Sequence, residues 1–265
     1  MKNKKKRVRE IADYIKFVFP MLVLYILFFI FPLFQTIGYS FTDYNGINPR
    51  KEFTGLTNYV DVFQDKWFYN SMLFTGKSVI LMILLANVLG FLLALALNTK
   101  IKSRNILRAI VFCPFVFNNV TVGFIWQFLL GRFMTDLYPL TGWKVFNIGW
   151  LSDSSLVLYS VVFVKLWQSI GYFMVIYLAG LQLLPQDPLE AAVLDGCTGI
   201  KMIRYITIPL MKPTAFVCIF LAITESLNMF PLIMSLTNGG PGHASENISL
   251  YIYNEAFKSH RMGYA

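Results

Sequence analysis

The sequence has 265 residues, of which 56% are hydrophobic and 14% charged, with a mean hydropathy of +0.57. A soluble domain carries about 25% charged residues, so a soluble globular enzyme and a disordered tail are both excluded. The 23 Lys and Arg outnumber the 14 Asp and Glu, a net charge of +9. In a chain of membrane spans that excess reports orientation, not nucleic-acid binding.

A hydrocarbon core about 30 Å thick needs roughly 20 apolar helical residues. Residues 1–16 are a basic N-terminal stretch, with Lys2 to Arg9 at its head, and a first apolar run follows at about 17–40. That run is too long for a signal-peptide core and no small-residue cleavage site follows it. It reads as an uncleaved first helix, with Pro20 and Pro32 bending it or marking its ends. Further apolar runs lie at about 72–97, 106–130, 156–184 and 214–236, so residues 17–265 read as one transmembrane domain. The fold class expected is all-α, a polytopic transmembrane helical bundle, with no internal repeat and no separate soluble domain.

Charge sets the orientation. Residues 1–16, 98–108 and 185–213 hold 14 Lys and Arg in 56 residues, against 7 in 85 for 41–71, 131–155 and 237–265. The denser set belongs in the cytoplasm, which puts the N-terminus inside and, after five spans, the C-terminus outside. The expected location is a bacterial plasma (inner) membrane.

Chemistry is scarce. Cys113, Cys197 and Cys218 are far apart, and neither they nor His243 and His260 form a metal-ligand or nucleophile pattern. No catalytic residue and no metal site are expected, nor is any cofactor in this chain, since no GxxxxGK[ST] phosphate loop occurs.

Residues 185–213 form the cytoplasmic loop between the fourth and fifth runs. Asp187 before Pro188 predicts a helix start, with the carboxylate at the N-cap, and Gly196 predicts its end just past Leu194. Ala191 and Ala192 give this helix a slim profile that suits a groove on another protein. Read from the residues alone, a surface helix capping the bundle stands beside that possibility.

Charges inside spans cost about 2.5–3.5 kcal/mol each at a helix centre, so Lys165 and Glu225 need a reason. Lys77 is nearer a boundary, where its stem can snorkel. Lys165, Gln168, Ser169 and Tyr172 recur at i, i+3, i+4 and i+7, one helix face. Glu225 is joined by Ser226, Asn228 and Met229, mostly on one face as well. Such stripes turn toward a cavity or a partner helix. Two readings stand: both stripes line a translocation path, or Lys165 and Glu225 pair and hold helices together. In the third run Asn118, Asn119, Thr121 and Gln127 are weaker candidates for the same path.

Glu190-Ala191-Ala192, Gly196, Ile206 and Pro209 resemble the EAA loop of binding-protein-dependent ATP-binding-cassette importers, with Ile208 where leucine is usual. Phe53 to Tyr59 (FTGLTNY) and Thr237 to Pro241 (TNGGP) are similar to stretches of the carbohydrate branch, the maltose and glycerol-phosphate permease type. The resemblance implies a type I importer permease core of six spans, five of them present here and a sixth missing at the C-terminus. It implies that the loop couples to a cytoplasmic ATPase through Leu189, Glu190, Ala191, Ala192, Asp195, Gly196, Ile206 and Pro209. It also implies that the sugar-contacting face falls on Lys165, Gln168, Ser169, Tyr172, Glu225, Ser226 and Met229, of which Tyr172 alone keeps the family residue.

The partners implied are a second homologous permease, two ATPase subunits that bind ATP and Mg, an extracellular or periplasmic sugar-binding protein, a sugar substrate and the lipid bilayer. The function expected is that of a permease subunit of an ATP-driven sugar or oligosaccharide importer, with no enzymatic activity of its own. The alternatives are an importer for an amino acid, glycerol-phosphate or polyamine, and a secondary transporter using Glu225 as a proton relay. No inverted repeat and no interrupted helix pair in the sequence supports the last.

Overall fold

A computed structural model describes residues 2–48, 51–99 and 102–265, with side chains from Tyr14 onward. The side chains of the Lys2–Arg9 stretch, and Arg50 and Lys100 of the charge count, lie outside the described residues. All regular structure among the described residues is helical, apart from one isolated antiparallel bridge between Thr42 and Phe53. The chain divides into two units, residues 1–65 with 252–265, and residues 66–251.

In the first unit, α1 (Lys2–Tyr25) passes through a π turn at Ile26–Ile30 into α2 (Phe31–Ser40), and α3 (Thr57–Gln64) follows. Tyr14–Ser40 is one apolar helix of 27 residues. Neither proline ends it: Pro20 lies inside α1 and Pro32 in the first turn of α2. A proline crowds the carbonyl four residues back, and the wider π turn directly before Pro32 makes room for it. At the far end of this helix, Asn58 Nδ2 donates to the carbonyls of Ser40 and Thr42, both at 2.9 Å. The FTGLTNY stretch thus satisfies the Ser40 carbonyl, which a helix C-terminus leaves open, and the Thr42 carbonyl just past that end.

The second unit contains α4 (Lys66–Leu97), α5 (Arg104–Phe112), α6 (Asn119–Phe128), α7 (Met134–Thr141), α8 (Val157–Gln182) and α9 (Gln186–Leu194). Then come α10 (Ile200–Met202), α11 (Ile208–Leu210), α12 (Lys212–Leu227), α13 (Phe230–Leu236) and α14 (Ile248–Tyr253), the last of which runs on into the first unit. With Tyr14–Ser40, α4 and α8 make three described helices long and apolar enough to cross a membrane singly. Two more spans result if each bent pair counts as one: Arg104–Val116 with Asn119–Thr141, bent by 96°, and Ile200–Leu210 with Lys212–Leu227, bent by 70°. The run expected at 106–130 is therefore bent, whereas the 70° bend falls before the run expected at 214–236, which is not one continuous helix for another reason. The first breaks after a Pro114-containing turn, and the second divides where α12 stops at Leu227 and α13 begins at Phe230.

α8 is the core helix of this unit. Its most apolar window is 67% buried against other parts of the chain, compared with 22% for α4. It packs chiefly on α4, with α5 and α12 against it as well, while α13 packs on α6. Lipid tails are as apolar as leucine, so these contacts depend on close fit more than on water exclusion. Gly171 of α8 is such a fit: a Cβ there would stand 2.6 Å from Phe112 Cα at the end of α5.

Candidate functional site

The break between α5 and α6 makes the site. Pro114 sits in the 3₁₀ turn Cys113–Val116, and Phe117 and Asn118 follow in extended conformation with ψ of 142° and 141°. Extended residues inside an apolar span leave backbone groups that lipid cannot satisfy. Side chains take them up. Asn118 Oδ1 accepts from the Val120 N–H at 2.8 Å, and Gln168 Nε2 of α8 donates to the Phe117 carbonyl at 2.9 Å.

Beside that bond Lys165 Nζ of α8 lies 2.5 Å from Glu225 Oε2 of α12, the side chains being 4% and 28% exposed. Lys165, Gln168 and Glu225 line one cavity of about 470 Å³ together with Asn118, Asn119 and the apolar Phe115, Phe117, Val120 and Pro231. Removing one partner of a buried ion pair costs about 3–5 kcal/mol, because the other charge is left uncompensated.

The other members of the two stripes are not among the residues lining this cavity. Ser169 Oγ donates to the Lys165 carbonyl at 2.8 Å and Ser226 Oγ to the Ala222 carbonyl at 2.7 Å, both buried. A serine inside a helix commonly spends its hydroxyl on the carbonyl four residues back. Tyr172 stacks on Phe115 with ring centroids 4.5 Å apart and planes 2° apart. Because α12 stops at Leu227, Asn228 and Met229 leave its periodicity: Asn228 is exposed and Met229 is buried. Thr121 and Gln127 are exposed on α6. Sequence reasoning missed the Phe117 carbonyl and the 96° bend. Their signal is Pro114 followed by Asn118-Asn119, a breaker and a helix-capping residue within one apolar run.

The cytoplasmic loop forms a second constellation. α9 begins at Gln186 with Pro185 as its N-cap, so Asp187 stands in the first turn and makes no capping bond. This corrects the expected start. Pro188 fits because the first turn of a helix needs no intrahelical N–H donors, and Asp187 still complements the helix N-terminus. The end falls as expected. Gly196 has φ +74°, Cys197 N–H donates to the Ala192 carbonyl at 2.8 Å and Gly196 N–H to the Val193 carbonyl at 3.0 Å. These two bonds are a Schellman stop. Ala192 is buried where α9 packs on the π turn Ile203–Thr207, and Leu189 and Ile206 are half-buried. Glu190, Ala191, Asp195, Gly196 and Pro209 are exposed, and Leu194 is 89% exposed.

The TNGGP stretch opens a polar knot tied to the start of α4. Thr237 Oγ1 and Ser245 Oγ lie 2.7 Å apart, and Asn70 Nδ2 donates to the His243 carbonyl at 2.6 Å. His243 Nδ1 contacts the buried Glu246 at 2.5 Å, and its ring lies 4.3 Å from that of Trp67.

A family model described as "Binding-protein-dependent transport system inner membrane component" matches residues 86–257. Over 264 residues the chain is 35% identical to the probable starch degradation products transport system permease protein AmyD of Thermoanaerobacterium thermosulfurigenes, covering 99% of this chain and 89% of that one. It is 32% identical over 249 residues to the multiple sugar-binding transport system permease protein MsmF of Streptococcus mutans, with coverage of 94% and 86%. It is 30% identical over 251 residues to the sn-glycerol-3-phosphate transport system permease protein UgpA of Brucella abortus, with coverage of 92% and 84%. Among solved structures, a bacterial ABC transporter involved in the import of the acidic polysaccharide alginate aligns with a TM-score of 0.80 at 22% identity, over 100% of this chain and 90% of that one. At that identity the likeness shows the fold.

Proposed function

The chain belongs to the family of binding-protein-dependent transport system inner membrane components, and from that premise we propose that it is a permease subunit of an ATP-driven sugar importer. It is a transport component and no enzyme by itself. The observation that carries the reading is the polar cavity at the α5–α6 break, where Lys165, Gln168 and Glu225 stand in otherwise apolar spans. Intramembrane charge is costly to insert and marks a pathway when it borders a cavity. The names of the relatives supply the solute class.

In this reading the importer contains a second permease, two cytoplasmic ATPase subunits that bind ATP and Mg, and an external sugar-binding protein. The N-terminus is cytoplasmic, as the Lys and Arg distribution supports. Residues Leu189 to Leu194 dock on an ATPase subunit, helped by the exposed Glu190 and Leu194. ATP-driven closure of the two ATPases moves α9. Because α9 lies between α8 and α12, the motion shifts the cavity between inward- and outward-facing states, a population shift between two conformations. The test is uptake and substrate-stimulated ATPase by the reconstituted importer with Lys165→Ala or Glu225→Ala. Loss of both activities is expected, and wild-type values would make the pair a structural clamp.

Identity to a glycerol-3-phosphate permease favours one second reading, import of a different small solute. Binding of the external receptor to a panel of sugars, amino acids and glycerol-3-phosphate decides between them. Affinity for a sugar supports the first reading, and affinity for a non-sugar with none for any sugar overturns it.

A further inference from the structure

Counted by charge, the cavity at the α5–α6 break is neutral. The charged residues among those lining it are Lys165 and Glu225, in contact at 2.5 Å on side chains that are 4% and 28% exposed. A ligand carboxylate or phosphate brought beside Lys165 stands beside Glu225 as well. Its attraction to the ammonium is offset by repulsion from the carboxylate, and it has given up its water. Drawing Lys165 away from the pair leaves Glu225 as an uncompensated charge. A ligand cation meets the mirror image of the same conflict.

Hydroxyl groups meet no such conflict. An ammonium has three N–H donors and a carboxylate has several lone pairs, so sugar hydroxyls can accept from Lys165 and donate to Glu225 while the pair stays closed. Gln168 points the same way independently. Its Nε2 is held by the Phe117 carbonyl, which can only accept, so the orientation of the amide is settled. Oε1 of the same amide is buried without a hydrogen-bond partner, on a residue 3% exposed. A buried acceptor without a partner calls for a donor. A hydroxyl supplies one, as would an ammonium, whereas an ionised carboxylate or phosphate does not, so this acceptor argues against anions and leaves the exclusion of cations to the closed pair. On the α6 side Asn118 Oδ1 already accepts the Val120 N–H, which withdraws that one backbone donor from any anion.

Resting on the path reading, we propose that Lys165, Glu225 and Gln168 act as a charge-exclusion filter. It passes uncharged polyhydroxylated sugars and discriminates against uronates, sugar phosphates and amino sugars. These three are specificity-determining residues, and the selection they impose is additional to that of any external receptor.

The test uses the assembled membrane complex in lipid nanodiscs, with the external receptor left out so that it does not select first. Probes are matched sets built on glucose, galactose and mannose, each as the neutral sugar, the uronate and the 2-amino sugar, followed by saturation-transfer NMR. In the wild type the neutral member of a set is expected to bind at least about tenfold more tightly than either charged member. Glu225→Gln leaves Lys165 unbalanced and should raise the uronate's share about tenfold, and Lys165→Gln should do the same for the amino sugar. The swap Lys165→Glu/Glu225→Lys restores neutrality and the preference for the neutral sugar, even if the single variants assemble poorly. A wild-type complex that binds uronate as well as its neutral counterpart overturns the filter. So do single variants that weaken the neutral sugar without changing the charge ratio. If neither variant alters neutral-sugar binding or uptake, the path reading itself fails, a distinct result.

Discussion

Gln168 holds the Phe117 carbonyl through its side-chain amide at 2.9 Å, tying the middle of α8 to the point where the chain turns between α5 and α6. The bond goes to backbone that an apolar surrounding would otherwise leave unpaired, so its loss costs the desolvation of a carbonyl, about 1–3 kcal/mol. Gln168→Leu is expected to lower the thermal unfolding temperature of the detergent-solubilised complex. Gln168→Met, of similar length and without an N–H or O–H donor, should behave like the leucine variant. Wild-type stability in Gln168→Met would show that the donated bond is dispensable.

Gly171 sets how closely α8 approaches α5. Phe112 Cα stands 2.6 Å from where a Cβ would lie, whereas at Gly76 nothing stands within 4 Å. Gly171→Ala should therefore push the break out of place, with an overpacking cost of about 1–3 kcal/mol or more. Gly76→Ala is expected to be neutral or slightly stabilising in its helix. Size-exclusion profiles and unfolding temperatures of the two variants check the contrast, and equal behaviour would refute the close approach.

Gly196 ends α9 at φ +74°. Asn visits this left-handed region at little cost, while a β-branched residue does not. Gly196→Asn should keep coupling, and Gly196→Val should lower transport per ATP hydrolysed by unwinding the last turn of α9. Glu190→Lys, on the exposed face, is expected to uncouple hydrolysis from uptake without changing stability. Sugar uptake and ATP turnover measured side by side in proteoliposomes read both effects. Wild-type uptake in Glu190→Lys would count against docking through α9.

Tyr177 of α8 and Asn87 of α4 share a hydrogen bond of 2.6 Å. Intramembrane side-chain hydrogen bonds average about 0.6 kcal/mol by double-mutant cycles and reach about 1.7. A cycle of Tyr177→Phe and Asn87→Ala is expected to give a coupling energy within that range from unfolding in mixed micelles. A coupling near zero would show that close packing of α4 on α8 needs no help from the bond.

How much of this was legible in the sequence differs from residue to residue. Lys165 and Glu225 stood out because charge is rare in apolar runs, and the structure brings them into contact, which is compatible with both readings. Gln168 was placed on the right face by its i+3 spacing, but its partner is a backbone carbonyl 51 positions away, which no periodicity names. Ser169 and Ser226 shared the stripes, yet each turns its hydroxyl onto its own helix, a choice that depends on what stands opposite. Asn228 and Met229 left the stripe because α12 stops one residue before them. At the loop, Gly196 marked the helix end correctly, since a positive φ is a local demand. Asp187 did not mark its start, because Pro185 already stands in the extended conformation that an N-cap takes.

By itself the sequence determined that this chain lives in a membrane, where its apolar runs lie, which loops carry the positive charge and which loop bears the EAA pattern. These are sums over neighbouring residues, and hydrophobic length and charge density are additive along a chain. The tertiary structure alone decided that the third run breaks at Phe117–Asn118 and that Lys165 closes on Glu225. It also decided that Gln168 answers the freed carbonyl. Each of these joins groups distant in sequence, and inside an apolar span a polar group settles on whichever partner the packing brings within reach.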